Sequence, residues 1–276
     1  MAKNNRNGGQ MGPLSIGNVV TGGIRLYRDH FQEYYRIALI GYPWVIVPVY
    51  GWAKYAEMHG LIARLAFREA IERPETGQQA RRQVEPRMWS FLGAGFLIFL
   101  ILIGAMFAGG FALGLLLGLI GAILGQNSGL VILLSLLGGL ALVVLYVGLY
   151  TKLSIVELPI AIDNLGATDS INRSWKLTKG MTGRLIGVYL LTFIISIPIV
   201  IVIQLGIWLF GLILSTILPT DIAIFSILNL VLSLGVAFAG GALLIPFWQS
   251  IKALLYYDLC SRQEGMGLNL KDDFGE

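Results

Sequence analysis

The chain has one cysteine, Cys260, and two histidines, His30 and His59. A single thiol excludes an internal disulfide and a metal site built from thiolates. Both histidines lie outside the long apolar runs, so haem, zinc or chlorophyll held by imidazole inside a membrane is not expected. No cofactor or metal is expected at all. Charge is equally scarce: 13% of the 276 residues are Asp, Glu, Lys or Arg, against about 25% in soluble domains. None occurs between Met88 and Thr151, or between Leu185 and Thr220. That leaves too little polar surface to coat a soluble core of this size. The polar start, Met1–Gly12, has no apolar stretch beside it and does not read as a secretory signal peptide. The net charge is only +4, and the basic residues gather at the borders of apolar runs. That pattern suits anionic lipid headgroups and gives no support for nucleic-acid binding.

What is present is a series of apolar runs, 56% of the residues being hydrophobic. About 20 such residues cross a bilayer as a helix. The expectation is an all-α integral membrane protein, with a polar tail over 1–14, one helical membrane domain over 15–260 and a polar tail over 261–276. Residues 15–29 place Ile16, Val20, Ile24 and Tyr27 at helical spacing opposite Arg25 and Arg28, which predicts an amphipathic helix lying in the interface. Pro43 and Pro48 interrupt a short apolar run at 37–53. A second interfacial helix is predicted at 54–73, with Met58, Leu61, Ile62 and Leu65 on one face. A third is predicted at 167–179, with Ala167, Ile171 and Trp175 opposing Arg173, Lys176 and Lys179.

The run at 88–125 would measure about 57 Å as one helix, far beyond a hydrocarbon core of about 30 Å. Gly109-Gly110 is the easiest break. Beyond it, Gly110, Gly114, Gly118 and Ala122 recur every fourth residue, the small-residue face that lets membrane helices approach closely. Packing within the chain is expected there, with self-association as the alternative. Further runs lie at 129–152, at 184–217 with Pro198, and at 222–257 with Pro246.

Charge bias then tests topology. The turn at 126–128 is uncharged and 216–221 holds only Asp221, so both suit the exterior. Residues 151–184 carry five basic and three acidic side chains, and with both termini they suit the cytoplasm. The segment 54–87, with seven basic and five acidic residues, conflicts with a 37–53 span followed by one unbroken 88–125 helix. Six spans, with a turn at Gly109-Gly110, are expected. The alternative is four long spans with 37–53 re-entrant. A shift of 151 residues also aligns Val20 with Ile171, Ile24 with Trp175, Arg25 with Lys176 and Arg28 with Lys179, a weak internal repeat.

Three patches, PLSIGNVVTGGIRLYRDHFQEYYRIAL, VELPIAIDNLGATDSINRSWKLTKG and LLYYDLCSRQEG, occur in order along nearly the whole chain. They resemble a group of bacterial membrane proteins similar to the membrane domain of glycerophosphoryl diester phosphodiesterases, and related domains of unknown function. The resemblance implies a membrane scaffold in a bacterial inner membrane, an internal membrane such as a thylakoid being the other possibility. It does not imply the phosphodiesterase activity, because the separate catalytic barrel of about 250 residues has no counterpart here. The segment 54–87 matches none of the pattern and reads as an insertion.

Few residues are candidates for chemistry. Glu157 and Asp163 flank Pro159 in an apolar elbow, where a carboxylate at membrane depth would handle ions or protons. The plainer reading is an interfacial pairing with Lys152, Arg173 or Lys252. Asp258 is expected to pair with a base and anchor the last helix, with Tyr256 and Tyr257 in an aromatic belt. Arg173, Trp175 and Lys176 complete the candidate interaction residues. Asn229, Gln204 and Gln249 read as interhelical hydrogen-bonding groups. No catalytic constellation is present. The expected function is therefore a non-enzymatic scaffold or accessory subunit that binds other membrane proteins, itself or lipids. A small transporter, channel or lipid-handling protein is the alternative.

Overall fold

A computed structural model describes residues 14–125, 127–219 and 222–265. The tail expected over 1–14 lies outside these residues except for Leu14, as do Gln126, Asp221 and the tail beyond Gly265. Among the described residues every element is helical. Ser15 opens α1 (Ile16–Asp29), its hydroxyl accepting the Asn18 amide at 3.1 Å, the usual satisfaction of an orphan first-turn donor. After α2 (Phe31–Gly41) comes a 3-10 turn, Tyr42–Ile46. Val49, with φ at 60°, then reverses the chain into α3 (Tyr50–Ala70). Short α4 (Gly77–Val84) and a Pro86-containing turn lead into α5 (Met88–Leu124). Ser128 caps α6 (Gly129–Leu153), followed by α7 (Glu157–Ile162), α8 (Ala167–Leu177), α9 (Thr182–Ile217) and α10 (Ala223–Glu264). Gly265, at φ 66°, closes α10 with a left-handed residue.

Four helices, α5, α6, α9 and α10, are long and apolar enough to cross a membrane. The rest of the protein buries only 6–22% of their most apolar stretches. Helices α9 and α10 run through Pro198 and Pro246 without ending.

The chain forms two compact units. One comprises residues up to Pro43, Ile62–Gly77 and everything from Gly187 onward. In it α1 and α2 run antiparallel along the C-terminal half of α10. Leu14 meets Asp258, Tyr27 stacks edge-on against Phe247 at 5.9 Å, and Tyr42 packs on Phe238 at 5.1 Å. Gly23 permits the approach, since a Cβ there would lie 2.7 Å from the Ile251 Cα. Further along the chain Phe67 returns to Tyr256, ring to ring at 5.8 Å. Residues 37–53 form no single helix: α2 ends at Gly41 and α3 begins at Tyr50. Pro43, Pro48 and the left-handed Val49 interrupt it.

The second unit comprises Trp44–Leu61 and Gln78–Ile186. Its centre is the antiparallel α5–α6 hairpin. Here the sequence reading needs two corrections. First, Gly109-Gly110 is no turn: α5 is continuous across it. A helix exposed to lipid keeps its backbone hydrogen bonds internal, and two glycines weaken it by only about 1 kcal/mol each. Second, Gly110, Gly114 and Gly118 have nothing within 4 Å of where a Cβ would stand, and Ala122 is exposed. The hairpin packs instead through the neighbouring face, Leu142 filling the notch at Gly109 and Leu113 the notch at Gly138.

The 54–73 helix differs as well. Every residue from Gly60 to Phe67 of α3 is buried, so it is no one-sided surface helix. Gly60, Ala63 and Ala66 make room for neighbours, Phe91 occupying the space beside Gly60.

Candidate functional site

The buried stretch of α3 requires its charges to be matched, because an unpaired charge out of water is costly. In the first unit Arg64, its side chain 4% exposed, makes a two-pronged bond to Glu75: Nε to Oε2 at 2.7 Å and a terminal nitrogen to Oε1 at 2.8 Å. Arg68, one turn along, reaches the same carboxylate at 2.7 Å. Glu75 lies past the end of α3, beyond Glu72, whose φ of 58° bends the chain back. In the second unit Lys54 bridges Glu57 at 2.9 Å and Glu85 at 2.8 Å. Burial pulls the Lys54 ammonium down, but hydrogen bonds to Glu85 and Glu57 outweigh it and hold its pKa above the ordinary value.

At the corner between α1 and α2, His30 stacks on Tyr34 and lies 3.5 Å from Glu69. Burial, then the charges of Glu69 and Glu33, raise the Tyr34 phenol, and burial with Tyr35 pushes Tyr27 up to about 12. Leu14, Asp258 and Arg262 form a third cluster. The Asp258 carboxylate is wholly buried and takes the Leu14 amide at 2.8 Å and Arg262 Nε at 3.1 Å on both oxygens. Arg262 also donates to the Leu14 carbonyl at 2.9 Å.

The elbow lies in the second unit. Glu157 begins α7 and is half-buried. Asp163 accepts from Arg173 at 3.0 Å. Ser174 donates to the Lys152 carbonyl at 2.6 Å, fastening α8 to the end of α6. Lys152 stands 4.4 Å over the Trp175 ring, and Trp175 and Lys176 are exposed. Tyr256 and Tyr257 are buried, at 0% and 3% exposure, which corrects their expected place in an aromatic belt. Their burial follows from α10 being covered by α1, α2 and the Phe67 ring along this stretch.

Sequence reasoning missed the α3 charges, Glu75, Glu85 and Arg262. The i,i+4 spacing of Asp258–Arg262 and Arg64–Arg68 was a usable signal. Nothing local marks Glu75, which acts through a loop. Among the described residues no three His, Cys, Asp or Glu side chains form a metal-binding group.

A family described as "Domain of unknown function (DUF7847)" matches residues 55–259. The match begins inside the 54–87 segment, which corrects its reading as an insertion. The finding is this family alone, and it carries no link to phosphodiesterase membrane domains. No curated protein and no solved structure matches the chain.

Proposed function

We propose that this chain, which belongs to the DUF7847 family of domains of unknown function, is a non-enzymatic scaffold or accessory subunit of a bacterial cytoplasmic membrane. In this reading four helices span and the Tyr42–Trp52 tip is re-entrant, so both termini and the 54–87 segment share the cytoplasmic side. The return of Phe67 to Tyr256 supports that topology, and it removes the charge conflict around 54–87. The tip also carries exposed Trp44, Ile46, Val49 and Trp52, as a loop dipping into one leaflet requires.

The observation that carries the scaffold reading is the contrast between the two ends of the long helices. At the charged end of α10, Asp258 and Arg262 are paired and hold the start of α1. The apolar stretches of the long helices, the Gly110–Gly114–Gly118 face among them, are left uncovered. Lipid or another membrane protein must cover them. Open small-residue faces favour a helix, because close packing drives association where the hydrophobic effect does not.

The test is affinity purification from native membranes, comparing the wild-type chain with Gly114→Leu/Gly118→Leu. A partner or second copy lost by the variant at unchanged accumulation supports the reading. Retention of every co-purifying protein refutes this face as the interface.

A further inference from the structure

Helix α8 is packed the opposite way from an ordinary surface helix. Its buried stripe is Ser170, Ser174 and Thr178, one turn apart and each fully inaccessible, with Leu177. Its aromatic residue points out: Trp175 is 41% exposed. In water that arrangement would waste the apolar residue and desolvate the polar ones. At a membrane surface it presents an amphipathic indole to the headgroup layer, while Ser174 is satisfied inside by the Lys152 carbonyl and Thr178 by the Ser174 carbonyl. Ser170 is buried with no hydrogen-bond partner among the described residues.

Depth supports the same placement. From Gly129 to Lys152, α6 rises about 35 Å, slightly more than a hydrocarbon core of about 30 Å. If the tip of the α5–α6 hairpin stands at one interface, Lys152 and Trp175 stand at the other. Tyr146 and Tyr150, stacked 6.3 Å apart and exposed, lie within two turns of Lys152 on the same helix. The charge there is basic: Lys152 lies over the indole, and Lys176 and Lys179 are exposed beside it. Lys176 has no acidic partner among the described residues. Arg173 is neutralised by Asp163, and Asp169 is at the opposite end of α8.

We infer that the surface formed by Lys152, Trp175, Lys176 and Lys179 binds the phosphate headgroup of anionic phospholipids in the cytoplasmic leaflet. The inference rests on the membrane topology proposed above and adds a lipid class and a site to it. Trp175 supplies the amphipathic wedge, and the lysines supply charge complementary to phosphate.

The experiment uses full-length protein in phosphatidylcholine nanodiscs or mixed micelles, titrated with phosphatidylglycerol and read by native mass spectrometry. Each surface lysine contributes about 1 kcal/mol toward an anionic membrane. Lys176→Gln/Lys179→Gln should therefore weaken phosphatidylglycerol retention on the order of thirtyfold. The charge-retaining control Lys176→Arg/Lys179→Arg should change it less than twofold. Melting in phosphatidylcholine alone should be the same for the single variant Lys176→Gln and wild type, since Lys176 is exposed. Equal retention of the two lipids by wild type, or equal loss in control and site variants, overturns the inference. Displacement by inorganic phosphate overturns the lipid assignment. The scaffold reading is scored separately, by partner recovery in phosphatidylcholine alone, which this site does not affect.

Discussion

Asp258 and Arg262, one turn apart on α10, grip both polar groups of the Leu14 backbone: the carboxylate takes its N–H and the guanidinium donates to its carbonyl. The pair joins residues 244 positions apart in sequence and holds the start of α1 on the last helix. Asp258→Asn keeps an acceptor for the Leu14 amide but leaves Arg262 uncompensated. Breaking one side of a buried pair costs about 3–5 kcal/mol. We expect a lower yield of folded protein and a lower melting temperature in detergent for Asp258→Asn, and a smaller loss for Glu157→Gln. A cation or proton flux in reconstituted vesicles that either change abolished would favour a transporter over a scaffold.

The topology is read by labelling. With Cys260 replaced by serine, Gln79→Cys places a thiol on exposed α4. An impermeant maleimide should label it only after lysis of the cells. Labelling from outside intact cells would restore a six-span arrangement.

Two glycines on neighbouring helices should respond in opposite ways. A side chain at Gly138 runs into Leu113, whereas Gly114 faces open space. Gly138→Leu should separate the α5–α6 hairpin, overpacking of this kind costing about 1–3 kcal/mol or more. Gly114→Leu should leave melting and protease resistance of the purified protein unchanged. Equal destabilisation would mean that the Gly114 face is filled from within the chain.

Lys54 sets a pH dependence. Its folded pKa stands above the ordinary 10.5, so protonation favours the folded state. That contribution is complete below about pH 10.5 and is lost as pH rises through the folded value. The stability gap between wild type and Lys54→Gln should hold constant from neutral pH to about 10.5 and then narrow. Tyr27, at about 12, lowers the stability of both proteins alike across the same window. A gap that widened with pH would show that Lys54 is not held as an ammonium.

The sequence alone determined that this chain is helical and suited to a membrane, because an absence of charge over 88–151 and 185–220 is a statement about solvent that needs no coordinates. It also placed the starts of α1, α6 and α8 to within a residue or two, since apolar periodicity acts locally, but not the continuity of α5 across Gly109-Gly110. What only the tertiary structure decided is which faces of those helices are used. Spacing marks Gly109 and Gly110 as equally small, and the position of Leu142 on another helix makes one a packing notch and leaves the other bare. Amphipathicity marks 54–73 as a surface helix, yet Glu75 and Glu85, distant in sequence, neutralise charges on α3 and allow it to be buried. Trp175 looks like a packing residue by period alone; it faces outward because Ser174 finds its hydrogen bond at the end of α6. Helix formation is settled by neighbours along the chain, whereas burial is settled by whatever the fold brings alongside.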